Sequence, residues 1–139
     1  MKSKIKLLYS DSIMPYKEFK ENAGYDLYIH SVEDKGTYLK IGTGISLQPE
    51  LGAYFELVPR SSTYKRGLIL YNNLGVIDNN YTGEIFAIFK KTEDFKELPK
   101  IGERLVQILP RHYVQVEFDV VEDFEETKRG SGGFGSSGL

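Results

Sequence analysis

The chain has 139 residues, a formal net charge of −2 and no cysteine, so it is long enough for one domain and too short for two of ordinary size. The lack of cysteine excludes disulfides, thiol catalysis and cysteine-zinc sites, and the balanced charge argues against broad binding to nucleic acids or anionic membranes. No apolar run approaches the ~20 residues of a membrane helix, and the N-terminus has no signal-peptide pattern. We therefore expect an intracellular, cytoplasmic protein.

The dominant hydrophobic period along the chain is two, which predicts β-strands. In chain order we predict strands over Ile5–Leu8, Tyr25–His30, Gly44–Gln48, Ala53–Val58, Leu68–Tyr71, Glu84–Lys90, Arg104–Leu109 and Val114–Val120. The last of these alternates most strictly, and a single short helix is predicted over Ser61–Lys65. Many short strands separated by turn residues predict an all-β fold, a jelly-roll-like barrel or sandwich with at most one short helix.

The composition changes near residue 121. Residues 1–120 are predicted to form the β domain, whereas residues 121–139 begin with an acidic stretch and continue into R-G-S-G-G-F-G-S-S-G at 129–138. Such a segment cannot build a core. We therefore predict a flexible, glycine-rich C-terminal arm.

The segment N-N-L-G-V-I-D-N-N-Y-T-G, residues 72–83, has the pattern of a hairpin. Asn79-Asn80 would form its two-residue turn, because asparagine tolerates positive φ. In such a hairpin Asp78 and Tyr81 lie opposite each other, with their side chains on one face. A carboxylate beside an aromatic ring predicts a base next to a flat wall; the alternative is that the aspartate only stabilises the turn.

A second candidate segment is P-R-S-S-T-Y-K-R-G, residues 59–67. Pro59 ends a strand, and Ser61 or Ser62 can cap the short helix that follows. Free N–H groups at the helix start, two hydroxyls and the nearby Arg60 suit an anion such as phosphate. A capped turn without a ligand is the alternative.

Two shorter segments carry polar residues inside predicted strands. In A-G-Y-D-L, residues 23–27, alternation places Asp26 on the face opposite its two neighbours. In R-L-V-Q, residues 104–107, it places Leu105 and Gln107 on one face. A buried amide needs partners, and a ligand is one source of them.

The C-terminal segment itself has features of a phosphate-binding loop. Its glycines let backbone amides approach a polyphosphate closely. Arg129 offers bidentate phosphate contacts, and Phe134 offers a stacking surface for a base. A Gly/Ser linker is the alternative, but a linker has no use for Phe134, and only Leu139 follows the segment.

Taken together, these five segments resemble the five motifs of the trimeric dUTP pyrophosphatase (dUTPase) family, in the family's order and spanning residues 23–138. The resemblance implies a jelly-roll homotrimer with active sites at subunit interfaces. It also implies hydrolysis of dUTP to dUMP and pyrophosphate by water attack on the α-phosphorus, which limits uracil incorporation into DNA and supplies dUMP for thymidylate synthesis. Mg²⁺ would be bound mainly through the substrate triphosphate. Ser62 and Ser137 depart mildly from the family pattern.

The resemblance also implies roles for individual residues. Asp78 resembles the general base, and Asp26 resembles a residue near the metal that acts through water. The residues that resemble uracil and deoxyribose contacts are Asn72, Gly75, Val76, Ile77, Tyr81, Phe86 and Phe134. The residues that resemble phosphate contacts are Arg60, Ser61, Ser62, Gln107, Arg129, Gly133 and Ser136. The arm is expected to close as a lid over its own or a neighbouring subunit's nucleotide.

Two other functions fit the same scaffold. One is a dCTP deaminase of related fold, and the other is a nucleotide-dependent regulatory binding protein. The order of the motifs favours the pyrophosphatase over the deaminase. The presence of both Asp78 and the complete C-terminal motif favours catalysis over binding alone.

Overall fold

The computed structural model describes residues 1–138; Leu139, the last residue of the predicted arm, lies outside the described residues. The chain forms ten strands: β1 (Ser3–Leu7), β2 (Tyr25–Tyr28), β3 (Ser31–Asp34), β4 (Tyr38–Gly42), β5 (Ile45–Pro49), β6 (Ala53–Pro59), β7 (Leu68–Leu70), β8 (Gly75–Ile77), β9 (Phe86–Lys91) and β10 (Arg104–His112). One 3₁₀ helix spans Thr63–Arg66. No helix among residues 1–138 has the length and apolar character needed to cross a membrane.

The strands pair antiparallel in three sheets. Two sheets have four strands, in the orders β2-β10-β6-β8 and β3-β4-β9-β7, and β1 pairs with β5 in a third. Apolar residues from all three sheets meet in one core, which includes Leu27, Phe55, Leu57, Val106 and Ile108 from the first sheet, Leu39, Ile41, Leu70 and Phe89 from the second, and Ile45 and Leu47 from β5. The predicted all-β, jelly-roll-like class is confirmed.

Seven predicted strands are present, with their ends shifted by a few residues. The predicted strands do not include β3, β4 or β8, of which β8 lies within the segment predicted as a hairpin. Strands β3 and β4 form a hairpin with Gly36 in its turn at a φ of 86°. Strand β3 has only one strongly apolar residue, Val32, so it shows no alternation. Its place in the sheet depends on pairing with β4, which no pattern within β3 reveals.

The strand predicted over residues 114–120 is wrong for the single chain. Strand β10 ends at His112, and within residues 1–138 no strand pairs with the segment that follows. Its apolar side chains lie in solvent, with Val114 84% and Val120 101% exposed. The sequence does alternate, but a strand forms only where a neighbouring strand pairs with it and an apolar surface packs against it.

The turn at Asn79-Asn80 is present, but the predicted hairpin is not. The N–H of Tyr81 donates to the carbonyl of Asp78 at 3.1 Å, which closes the turn. Strand β8 pairs with β6, whereas β9 belongs to the other four-stranded sheet. Neither asparagine has a positive φ. The turn therefore carries the chain from one sheet to the other.

Candidate active site

A polar cleft of about 450 Å³ brings together residues from three of the five sequence motifs. Its walls come from the loop before β2, from the end of β6 and from β10. Four predicted site residues line it: Asp26, Arg60, Ser61 and Gln107. These residues lie up to about eighty positions apart in the sequence, and only the antiparallel pairing of β2, β6 and β10 unites them.

Asp26 holds two arginines at the cleft wall. It lies on β2, opposite the buried Leu27 as alternation predicts. Its Oδ2 accepts from Arg60 Nε at 3.0 Å and from Arg104 Nη1 at 3.2 Å. The Arg104 guanidinium also packs against the ring of Tyr16, 4.9 Å from its centroid. A half-buried carboxylate needs such partners. The same ion pairs hold the two arginine side chains beside the cleft, and their positive charge suits an anion.

The Gln107 amide reaches the cleft because β10 contains a bulge. The register against β2 shifts between Arg104 and Val106, so Leu105 and Val106 are both buried while Gln107 is half-buried on the outer face. The expectation that strict alternation places Leu105 and Gln107 on one face is therefore wrong, because a bulge adds one residue to the strand. Gln107 Nε2 donates to the carbonyl of Pro59 at 3.4 Å.

The short helix after Arg60 starts without a side-chain cap. Ser62 occupies the N-cap position, but within residues 1–138 its hydroxyl forms no capping hydrogen bond. The buried Thr63 anchors this turn, since its Oγ1 donates to the carbonyl of Leu105 at 2.6 Å. The predicted cap by Ser61 or Ser62 is therefore wrong. Ser61 lines the cleft, and Ser62 is exposed outside it.

The second group of predicted residues surrounds β8. The side chain of Asn72 lies beside the backbone of Gly75, with Nδ2 3.8 Å from where a Cβ would stand. Asp78 follows the end of β8 in an exposed position. Tyr81 Oη donates to the carbonyl of Glu84 at 2.7 Å. This arrangement presents an amide, a carboxylate and a ring along one short segment.

The remaining residues predicted near the base differ in exposure and in place. Ile77 is buried in the core, whereas Val76 points outward and is 58% exposed. Phe86 lies on β9, in the sheet that does not contain β8. Its ring lies beneath the Lys40 ammonium, 4.2 Å from Nζ. The structure therefore does not place Phe86 on the same strand pair as Gly75–Ile77.

The third group lies in the arm, whose hydrogen bonds are local. Arg129 Nε donates to the carbonyl of Gly132 at 2.9 Å, and Ser136 N–H donates to the carbonyl of Gly133. Phe134 is fully exposed, with a φ of 51°. None of these residues, and none of the residues around β8, lines the polar cleft. The cleft of the single chain therefore contains only part of the predicted site.

Two residues were missed as participants by the sequence reasoning. Arg104 lies within the segment R-L-V-Q, but its ion pair with Asp26 crosses from β10 to β2, and no local spacing predicts it. Glu84 follows the predicted turn and accepts a hydrogen bond from Gly44 N–H at 2.8 Å. The only available signal for Glu84 was a carboxylate close to Tyr81 in the sequence.

The donors present suit a metal carried by a ligand better than a metal held by the protein. Among residues 1–138, no cluster of three or more histidine, aspartate or glutamate side chains is arranged to hold a metal ion. Both recorded ion pairs of Asp26 engage Oδ2, which leaves Oδ1 able to accept from a metal-bound water. Mg²⁺ commonly keeps several waters and binds through substrate phosphates.

The fold and the cleft define a class of all-β protein with a polar, arginine-lined cleft, and comparison with known proteins identifies the family. The dUTPase family model matches residues 10–138. A deoxyuridine 5′-triphosphate nucleotidohydrolase of Nautilia profundicola is 39% identical, with 99% of each chain covered. One from Paramecium bursaria Chlorella virus 1 is 36% identical, with 97% of this chain and 96% of the relative covered.

The solved structures show the same relationship. The dUTPase of Staphylococcus bacteriophage 80alpha, solved with dUPNHPP, superposes with a TM-score of 0.85 at 26% identity, with 99% of each chain covered. The chain belongs to the dUTPase family. The resemblance drawn from its five motifs is confirmed.

Proposed function

We propose that this protein hydrolyses dUTP to dUMP and pyrophosphate. The observation that carries the proposal is the cleft in which Asp26 holds Arg60 and Arg104 beside Ser61 and Gln107, a surface built for polyphosphate in a chain of this family. The relatives are named as dUTP nucleotidohydrolases, so deamination of dCTP is not favoured. A role in binding alone gives no reason for the exposed carboxylate of Asp78, whereas hydrolysis requires a base.

The reaction needs one base and a means to hold the phosphates. In the proposed mechanism a water oxygen attacks the α-phosphorus, its proton passes to the Asp78 carboxylate, and the bond from the α-phosphorus to the bridging oxygen breaks to release pyrophosphate. The Tyr81 ring lies under the deoxyribose, where a 2′-hydroxyl would clash. The groups assigned to uracil are Asn72, the backbone of Gly75, Val76 and Ile77, together with Phe86 and Phe134.

The cations and hydroxyls of the cleft bind the phosphates in this proposal. Arg60 can form two parallel hydrogen bonds to a phosphoryl group, and Ser61 and Gln107 add neutral donors from the cleft. Ser62 would add a hydroxyl from the adjoining turn, outside the cleft. Asp26 would contact the waters around a Mg²⁺ ion carried by the triphosphate, and the ion would supply partial neutralisation of the phosphate charge. The structure of a mutant dUTPase of S. aureus phage phi11, 21% identical with a TM-score of 0.77, reveals the coordination of a structural Mg(II) ion in that protein; at this identity the likeness supports the fold alone.

We also propose that the protein is a homotrimer whose sites form between subunits. The polar cleft of the single chain contains neither the residues around β8 nor those of the arm. The segment 114–120 exposes Val114, Val116, Phe118 and Val120, and among residues 1–138 only β5 pairs with β1, so the other edge of β1 lacks a partner. An exposed apolar strip and an open strand edge are features of an interface. Neighbouring copies would bring the parts together.

In the proposed trimer, residues 1–120 form the catalytic β domain and residues 121–139 form a flexible arm. Arg129, Gly133 and Ser136 hold the outer phosphates, while Phe134 stacks on uracil. Closure of the arm excludes water other than the nucleophile. Because dUTP is a nucleotide of the cell interior, the proposal includes an intracellular, cytoplasmic location.

The test of the proposed function is a pyrophosphate-release assay with dUTP and Mg²⁺. The same protein is given dCTP, UTP and dTTP, and ammonia release is followed alongside. We expect pyrophosphate from dUTP and little from the other three nucleotides, with no ammonia from dCTP. Ammonia from dCTP, or equal turnover of dTTP, would refute the proposal. Sedimentation equilibrium at micromolar concentration tests the trimer, and a monomer or a dimer would refute the shared site.

A further inference from the structure

Behind Tyr81 lies a polar cluster outside the segments of the five motifs; one of its members, Glu84, directly follows the third segment. Tyr81 packs closely on Gly83, where a Cβ would stand 2.7 Å from the tyrosine hydroxyl oxygen. Its hydroxyl donates to the carbonyl of Glu84 at 2.7 Å. The orientation of the ring therefore depends on where the Glu84–Ile85 peptide lies.

Backbone hydrogen bonds fix one end of that peptide. Ile85 N–H donates to the carbonyl of Ile45 at 3.0 Å, and the carbonyl of Ile85 accepts from Thr43 Oγ1 at 2.8 Å. In a planar trans peptide the N–H and the preceding C=O point in opposite directions. The bond to Ile45 therefore directs the Glu84 carbonyl away from β5 and toward the Tyr81 hydroxyl.

The side chain of Glu84 fixes the other end of the Glu84–Ile85 peptide. Its Oε1 accepts from Gly44 N–H at 2.8 Å, in a half-buried position. Gly44 has a φ of 70°, and a Cβ there would meet Ser12 Oγ at 2.7 Å and the His30 ring at 2.9 Å. Only glycine fits this turn, so the N–H is held in place to receive the carboxylate.

Two stacked aromatic rings lie beside the hydrogen bond between Gly44 N–H and the Glu84 carboxylate. The rings of Tyr9 and His30 lie parallel, with centroids 4.2 Å apart and 8° between their planes. Tyr9 Oη donates to Glu84 Oε2 at 3.4 Å, and His30 Nε2 is hydrogen-bonded to Asp11 Oδ1 at 2.8 Å. The negative charge of Glu84, with desolvation and the hydrogen bond adding to it, raises the pKa of Tyr9, so the phenol keeps its proton and remains a donor.

We propose that Glu84 is a positioning residue: its carboxylate, anchored on Gly44 N–H and backed by the Tyr9–His30 stack, fixes the peptide that orients Tyr81 and thereby sets the preference for deoxyribose over ribose. This rests on the proposed function, because it assigns Tyr81 to the sugar. Loss of the anchor lets the ring move, and a displacement of ~1 Å at a positioning group has large effects on rate. Discrimination against a 2′-hydroxyl is the property most sensitive to that movement.

The test compares Glu84→Ala, Glu84→Gln and the control Glu33→Ala. Glu33 is an exposed carboxylate on β3 that is paired with Lys35 at 2.9 Å. We expect Glu84→Ala to lower the ratio of kcat/KM for dUTP to that for UTP by about tenfold, mostly through KM for dUTP. Glu84→Gln keeps an oxygen for Gly44 N–H and should stay within about threefold of the original ratio, and Glu33→Ala should leave the ratio unchanged.

Three results would overturn the inference: an unchanged ratio in Glu84→Ala, an equal defect in Glu84→Gln, or an equal defect in Glu33→Ala. If Glu84→Ala does not fold, Glu84→Asp replaces it, since its carboxylate is one methylene too short for Gly44. Titration calorimetry with dUMP and UMP gives a readout that needs no turnover. Failure of dUTP hydrolysis in the unaltered protein refutes the proposed function, whereas loss of the dUMP preference in Glu84→Ala would still support the inference.

Discussion

Gly24 lies so close to Gln107 that a single methyl group should displace the amide from the cleft. A Cβ at position 24 would stand 2.0 Å from Gln107 Oε1 and 2.9 Å from its Cδ. Ordinary van der Waals contacts begin at 3.4 Å, so in Gly24→Ala the amide must retreat by more than about 1 Å. The obstacle is the end of a flexible side chain, so the fold should adapt with a stability loss of no more than about 1 kcal/mol.

The consequence should therefore appear in catalysis. A displacement of this size at a substrate-positioning group costs up to ~10²-fold in rate, and we expect Gly24→Ala to lower kcat/KM for dUTP by about tenfold or more. The assay is steady-state pyrophosphate release, with the thermal midpoint followed by circular dichroism. Gln107→Ala supplies the matched background: once the amide is gone, Gly24→Ala should cost little more. Near-normal activity in Gly24→Ala, or two effects that multiply in the double variant, would refute the reasoning.

Three further predictions concern the base, the arm and acid stability. Asp78→Asn should lower kcat by at least ~10²-fold with dUMP affinity kept; near-normal turnover would mean that the base lies elsewhere. Deleting residues 129–139 should leave the thermal midpoint nearly unchanged, because the arm's recorded hydrogen bonds are local, and should abolish most dUTP hydrolysis; activity within a few-fold of the full chain would argue against the lid. A hydrogen bond from Lys91 lowers the pKa of Asp34, and a hydrogen bond from Gly36 N–H lowers it further. Its contribution to stability is therefore complete above the unfolded pKa of ~4 and is lost as pH falls through the lower folded value. Asp34→Asn should make the acid-side fall of the thermal midpoint below pH ~4 shallower, and an identical fall in both proteins would contradict the assignment.

The sequence by itself determined the fold class, the family and most strands. Period-two alternation at β6 reflects a sheet with one buried face, and such a pattern can be read directly from the local sequence. The placement of Asp26 opposite Leu27 followed from the same rule. The family could be assigned from the five motifs because residue types and their order along the chain are read directly from the sequence.

Tertiary structure decided what those side chains meet. The bulge in β10 turned Gln107 outward against simple alternation, since pairing with β2 sets the register. The ion pair between Arg104 and Asp26 and the hydrogen bond from Gly44 N–H to Glu84 join residues that lie far apart in the sequence. Residues 114–120 show most clearly what the sequence pattern does not predict. Alternation indicates which side chains share a face of a strand, but it does not identify the neighbouring strand that must pair with it. Pairing partners are non-local, so only the folded chain, or its assembly, selects them.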